Sequence, residues 1–251
     1  MSDRVKSAVI SPIGTSPMVA SEIMEYLMKV DGNLRDVYLL HTTSEFVESG
    51  TYACQSAIEI KFPQVHVHSE TIPERDIFDD ESLVNYVSKL CRIIGEGRNK
   101  FKTGKFYLNA TGGRKIQSML LTLIASLVEN TVLFNVINTD IENFNVAYER
   151  VRGIIGNFTR DNRRDLYYTN REELDEVFFP KMNNIFVINV PILPIPRDFK
   201  AKIRNSIEGV DLESGDVTDY EIESMKFAGL ITSDNSRTYG TPLGFSLLEV
   251  I

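Results

Sequence analysis

The chain has no tryptophan, two cysteines and three histidines among its 251 residues. Cys54 and Cys91 are too few for a disulfide framework. His41, His66 and His68 do not join them at zinc-finger spacing, so the pair reads as reduced core cysteines and no metal site is expected. No stretch approaches the run of about 18 apolar residues that a membrane span needs. The polar start Met1-Ser-Asp-Arg-Val-Lys6 is not a signal peptide, which makes the cytoplasm the expected compartment. Positive charge is in deficit, with 27 Lys and Arg against 35 Asp and Glu, for a net charge of -8. Such a chain would grip long nucleic acid only through a segregated basic patch, whereas a small anion in a focused pocket meets no such obstacle.

What is present is an ordinary globular composition, 43% hydrophobic and 25% charged, arranged as alternating strand and helix patterns. Strands are predicted at Val5–Ile10, Val37–Leu40, Phe106–Asn109 and Val132–Ile137, and, from the alternation of Val65 and Val67 with the histidines, at Val65–Ile72. Between them, helical spacing predicts helices over Met18–Val30, Ser44–Ile60, Asp79–Ile94 and Ile116–Leu127, with a loop from Gly95 to Gly104. The order predicts an α/β fold: a doubly wound, mostly parallel sheet with a crevice at the carboxyl ends of its strands. Asp140–Pro180 loses the pattern and reads as an insertion or a helix-and-loop excursion, after which Ile185–Val190 is a further strand. Prolines 191, 194 and 196 form a stiff hinge, placing a boundary between residues 1–195 and 196–251. In the tail, helices at Phe199–Ile207 and Thr218–Phe227 precede a strand from Gly229, a tight turn at Asn235-Ser-Arg and a final apolar element, the outline of a small winged helix-turn-helix domain. Thr218-Asp-Tyr-Glu221 is a capping box.

Two loops carry the chemistry. Ser11-Pro-Ile-Gly-Thr-Ser-Pro17 ends the first strand with hydroxyls and a glycine, so backbone N–H groups around Ile13, Gly14, Thr15 and Ser16 can converge on an anion. In Asn109-Ala-Thr-Gly-Gly-Arg-Lys115, Thr111, Gly112 and Gly113 permit close backbone approach, and Arg114 and Lys115 bring positive charge to a helix start. Neither loop matches Gly-x-x-x-x-Gly-Lys-Ser/Thr or Gly-x-Gly-x-x-Gly, which removes support for ATP hydrolysis and NAD chemistry, and no cofactor is expected.

The pairing of these loops resembles the CRISPR-associated Rossmann-fold (CARF) family, in particular its standalone archaeal-type ring nucleases with a C-terminal winged-helix domain. The resemblance spans roughly residues 4 to 190. It implies a homodimer that holds one cyclic oligoadenylate across its two-fold axis, cyclic tetra-adenylate being the expected ring. Relatives with a HEPN ribonuclease carry Arg-x4-6-His; the one match, Arg35 to His41, lies on the second predicted strand, and the tail contains no histidine. Relatives that regulate transcription grip DNA with the winged helix. Here the stretch from Ala201 to Ile251 has four basic residues against nine acidic ones and an acidic helix around Glu221–Phe227, so DNA binding is not expected and a dimerisation or lid role is.

The remaining class is the ring nuclease. The resemblance implies metal-independent attack of a ribose 2'-OH on its neighbouring phosphate, giving linear products with a 2',3'-cyclic phosphate and switching off type III CRISPR signalling. By the same resemblance Ser11 is catalytic, Ile13–Ser16 and Thr111–Lys115 bind the ligand, and a distal lysine, Lys181, stabilises the transition state, with Arg160, Arg163 and Arg164 as competitors. Tyr167 and Tyr168 are candidates for stacking on adenine. The same loops would also serve a ligand-responsive DNA regulator or a non-catalytic sensor.

Overall fold

The computed structural model describes residues 5–210, 217–234 and 237–251. Its centre is a six-stranded sheet of β1 (Lys6–Pro12), β2 (Leu34–Thr42), β3 (His66–Ile72), β4 (Thr103–Asn109), β5 (Thr131–Asn138) and β6 (Ile185–Val190), in the order β3-β2-β1-β4-β5-β6. The first five strands are parallel and β6 runs antiparallel to β5. β1 shows why the apolar runs are continuous: Val9 enters the core on one face while Ala8 and Ile10 enter it on the other. The chain lays down β2 and β3 on one side of β1, then crosses to β4 on the other. The loops after β1 and β4 therefore meet at the reversal of strand order, where ligands bind in open α/β sheets.

One face carries α1 (Met24–Val30), α2 (Glu45–Lys61), α5 (Ile141–Ile155), α6 (Arg163–Thr169) and α7 (Arg171–Phe178). The other carries α3 (Asp80–Asn99) and α4 (Lys115–Leu127). The Asp140–Pro180 excursion is thus three helices, and they complete a layer: Val151, Ile155, Tyr167, Leu174, Val177 and Phe178 are all buried against the sheet.

Two expectations are corrected. The helix placed at Asp79–Ile94 continues to Asn99, through Gly95 and Gly97. Those glycines mark close packing: a Cβ on Gly97 would lie 3.0 Å from the Phe106 ring, and one on Gly95 would lie 3.0 Å from the Glu249 side chain. The helix placed at Met18–Val30 is a 3-10 turn at Pro17–Ala20 followed by α1, which starts only at Met24. Ser21 interrupts it, its hydroxyl donating to the carbonyls of Met18 and Phe178. No regular helix N-terminus therefore follows the first loop.

Beyond the prolines come α8 (Arg197–Glu208), α9 (Asp219–Phe227), a hairpin of β7 (Ile231–Asp234) and β8 (Arg237–Gly240), and α10 (Pro242–Leu247). The capping box of α9 is formed as expected. Asn235 and Ser236 of the expected turn, and the acidic residues Asp211, Glu213 and Asp216, lie outside the described residues. The tail has a small core of Ile203, Ile207, Met225 and Ile231. It is also fixed to the body: Leu247 and Val250 join the α3–α4 core, and the Ser246 and Ser88 hydroxyls meet at 2.6 Å.

Candidate functional site

The two loops touch. A Cβ on Gly14 would lie 3.3 Å from the Gly113 Cα, a tight fit, and one on Gly112 would fall 2.0 Å from the Pro12 carbonyl oxygen, so the second loop needs glycine there to approach this closely. Gly113 also has a φ of 75°, the left-handed conformation that favours glycine. Asn109, buried at the end of β4, holds the loops together: its Nδ2 donates to Ser11 Oγ (3.0 Å) and to the Val19 carbonyl (2.9 Å), and its Oδ1 accepts from the Thr111 N–H (3.0 Å). Tyr148 of α5 donates its hydroxyl to the Thr15 carbonyl at 2.7 Å and steadies the first loop from outside.

Above this junction lies a cavity of about 260 Å³, lined by Ile13, Gly14, Thr15, Gly113 and Arg114 of the expected set. Thr42 at the end of β2, Ser44 before α2, Val47 of α2, Arg75 and Asp76 from the β3–α3 loop, and Gln117 of α4 complete it. Sequence reasoning missed these; the only local signal was the hydroxyl run Thr42-Thr43-Ser44 at a strand end. Arg114, its side chain 71% exposed, is ion-paired with Asp76 across the mouth. Gln117 Oε1 accepts from the Arg114 N–H at 2.7 Å, which fixes the entry to α4. Arg75 is exposed at the same mouth and forms no ion pair among the described residues.

The other expected residues are placed differently. Ser11 is fully buried beneath the loops, accepting from Asn109, and Thr111 Oγ1 accepts from the Val136 N–H at 2.7 Å. Gly112 is buried against Pro12, while Ser16 and Lys115 are exposed beside the cavity but do not line it. Lys181 precedes β6 at the end that pairs with the carboxyl end of β5, the same edge of the sheet as the loops. It lines a separate polar cavity of about 580 Å³ with Asn138, Asp140, Asn143, Arg150 and Glu176.

Its competitors lie elsewhere. Arg163 and Arg164 both pair with Glu59 in the last turns of α2, and exposed Arg160 is on the α5–α6 connection, all at the opposite edge of the sheet. Tyr167 is buried with its hydroxyl donating to Asp175 at 2.7 Å, so it packs the core instead of offering a face to a base, and Tyr168 lies beside Arg164. Arg35 and His41 sit at opposite ends of β2, about 20 Å apart at strand spacing, and form no joint site. His41 is buried, its ring bonded to Ser69 Oγ, and burial pushes its pKa down. Cys54 and Cys91 are free and buried, on opposite faces of the sheet, and burial raises both thiols. Among the described residues no helix is long and apolar enough to cross a membrane.

A family model described as CRISPR-associated protein NE0113 matches residues 16–222. Among solved structures, Enterococcus italicus Csm6 bound to cyclic hexa-2'-fluoro-hexa-dAMP is similar, with a TM-score of 0.52 and 16% identity. The likeness covers 81% of this chain and 45% of that one, so the chain spans less than half the length of this relative and shares its fold. Comparison with curated proteins returns no match.

Proposed function

Because the chain belongs to the CRISPR-associated NE0113 family, we propose that it binds a cyclic oligoadenylate, cyclic tetra-adenylate in the first instance, and cleaves it as a metal-independent ring nuclease. The observation that carries this reading is the contact of the Ser11–Pro17 and Asn109–Lys115 loops at the strand-order reversal, with the cations Arg114 and Arg75 at the mouth. Csm6 of similar fold holds a cyclic hexa-adenylate analogue, which supports the ligand class.

The chemistry asks little of the protein. A ribose 2'-oxygen attacks the adjacent phosphorus, the P–O5' bond breaks, a 2',3'-cyclic phosphate forms, and the 2'-proton is lost to water while the 5'-oxygen takes one up. The protein holds the 2'-oxygen in line with the leaving oxygen and opposes charge on the phosphate. Arg114 and Arg75 are assigned to the phosphates, with Lys115 beside them. Ser11 is assigned to the reacting ribose; in the structure it is buried and, accepting from Asn109, acts as a positioning residue. Lys181 is assigned to the distal phosphate, reached across β5.

A homodimer is part of the proposal. Ile137 of β5 faces Phe186 of β6, and Asn135 faces Ile188, on the sheet face that also carries α4. There Phe186 is 56% exposed and Met119 on α4 is 59% exposed, with Leu123, Ile137 and Ile188 beside them. An apolar strip of this kind along an edge strand marks an interface, and it adjoins the helix that starts at Arg114. The tail, read as a winged-helix unit over residues 196–251, is assigned a lid or dimerisation role. The outer face of α9 offers Glu223 and the 97% exposed Phe227, which does not suit a phosphate backbone.

The burial of Ser11 favours a second reading, a non-catalytic sensor that binds the ring and leaves it whole. One assay separates them. Purified protein is incubated with cyclic tetra-adenylate in EDTA and the products are read by mass spectrometry. Linear products ending in 2',3'-cyclic phosphate support the nuclease; intact ring after hours, with binding retained, supports the sensor. For the nuclease, Ser11→Ala slows cleavage at least ten-fold while changing affinity less than three-fold.

A further inference from the structure

A second concave site lies at the opposite edge of the sheet from the loops, at the seam between body and tail. It is a cavity of about 320 Å³ lined by Arg98 from the end of α3, Glu129 after α4, Arg197, Lys200 and Arg204 from α8, and Ile251. Arg197 and Arg204 are engaged. Arg197 makes a bidentate bridge to Glu129 at 2.7 and 2.9 Å, and Arg204 donates to the carbonyls of Leu248 and Ile251 and pairs with Glu208 at 3.4 Å. Two cations remain. Arg98, half-buried, donates only to the Glu129 carbonyl at 3.1 Å, and Lys200 Nζ has no hydrogen-bond or ion-pair partner among the described residues.

The lining side-chain carboxylate, Glu129, is bridged by Arg197 and reaches Arg98 and Lys200 only through space, so among the described residues neither of these two cations has an ion-pair partner. Burial lowers the pKa of Arg98, which means that the fold bears a desolvation penalty to keep a guanidinium there. Arg98 keeps four unused donors and Lys200 three, on the wall of a space that accommodates one or two phosphate groups. Helix C-termini nearby account for one cation but not for the convergence of four from two elements, α3 and α8.

We propose that this cavity is an anion site, separate from the crevice, that takes a pyrophosphate-like group through Arg98 and Lys200. Because its walls come from both α3 and α8, an occupant would bridge body and tail. Two sources share this chemistry: a free nucleotide, or the phosphates of a nucleic acid chain.

The full-length protein is titrated with inorganic pyrophosphate by calorimetry and thermal shift, against sodium chloride at matched ionic strength. Saturable binding is expected, weakened at least ten-fold in Lys200→Gln and in Arg98→Gln, and unchanged in the crevice variant Arg114→Gln/Lys115→Gln. Lys200→Gln removes no partner, so it reads the site even if Arg98→Gln is poorly folded. ADP and a twelve-nucleotide single strand are then compared. A strand bound more tightly than ADP, with steep salt dependence lost in Lys200→Gln, identifies a backbone; equal or tighter ADP identifies a nucleotide. Absence of saturable binding, binding unchanged in both cavity variants, or loss in the crevice variant alone overturns the proposal.

Discussion

Arg114 carries the positive charge that a phosphate entering between the two loops would meet, and in the structure that charge is already opposed by Asp76. An anionic ligand has to displace the carboxylate, and an exposed ion pair of this kind contributes on the order of 0.2–1 kcal/mol. Asp76→Asn is therefore expected to tighten binding of cyclic tetra-adenylate by about 1.4- to five-fold, measured by calorimetry; unchanged or weaker binding would show that Asp76 does not compete. Neither Arg75 nor Asp76 was legible as a site residue, because a loop of seven residues after a strand gives no sign of which neighbouring loop it leans towards. The glycines were legible, since only close backbone contact calls for Gly112-Gly113 between a strand and a helix. A second side chain sets a pH dependence. Glu22 is buried just after the first loop, and burial pushes its carboxyl pKa up to about 7. The folded state then holds a proton that the unfolded state has released above the ordinary carboxylate range. Stability is greatest below about pH 4.5 on this account and falls as pH rises towards 7. Glu22→Gln should raise the melting temperature at pH 8, and the gain should shrink between pH 7 and 4.5 and vanish below; a gain independent of pH would assign the effect to packing.

Among the elements, β1, β2, β4 and β5 were readable as apolar runs bounded by turn residues, the pattern of buried parallel strands, whereas β3, a largely unburied edge strand, was readable only from the alternation of Val65 and Val67. The helices α5, α6 and α7 were not. Their outer faces carry Glu142, Arg150, Glu172 and Glu173, and only one stripe of each meets the sheet, so the stretch read as charged excursion when it is a core layer. The end of α3 was misplaced for a related reason: a glycine that ends a helix and one that lets a helix press on Phe106 look the same in sequence. The apolar strip on α4, β5 and β6 was equally hidden, since Met119, Ile137, Phe186 and Ile188 become neighbours only once β6 pairs antiparallel with β5. If this strip joins two subunits, Ile188→Lys places an unpaired charge in the interface from each side. The expected outcome in light scattering is a shift from dimer to monomer with the melting temperature at low concentration within a few degrees of wild type. A dimer that persists would move the interface elsewhere.

For the whole molecule, charge is distributed by edge. The net value of -8 hides a crevice edge with Arg75, Arg114 and Lys115 and an opposite edge with Arg98, Arg197, Lys200 and Arg204, while α9 is acidic. A charge count begun at Ala201 misses Arg197 and Lys200, which belong to the same helix as Arg204. Ligand capture by an anionic protein must rely on such local concentration of cations. If two subunits share one ring, the ring also links binding to assembly. At ligand about 100-fold over its dissociation constant, binding to the native state alone adds about 2.7 kcal/mol of stability. In wild type this should raise the melting temperature by several degrees with a stoichiometry of one ring per two chains. In Ile188→Lys, each monomer holds half of the contacts, so the same ligand concentration should leave the melting temperature nearly unchanged, and recovery of the shift should require higher protein concentration. One ring per chain, with an undiminished shift in the monomeric variant, would mean that a single crevice suffices, and the shared-ligand dimer would have to be given up.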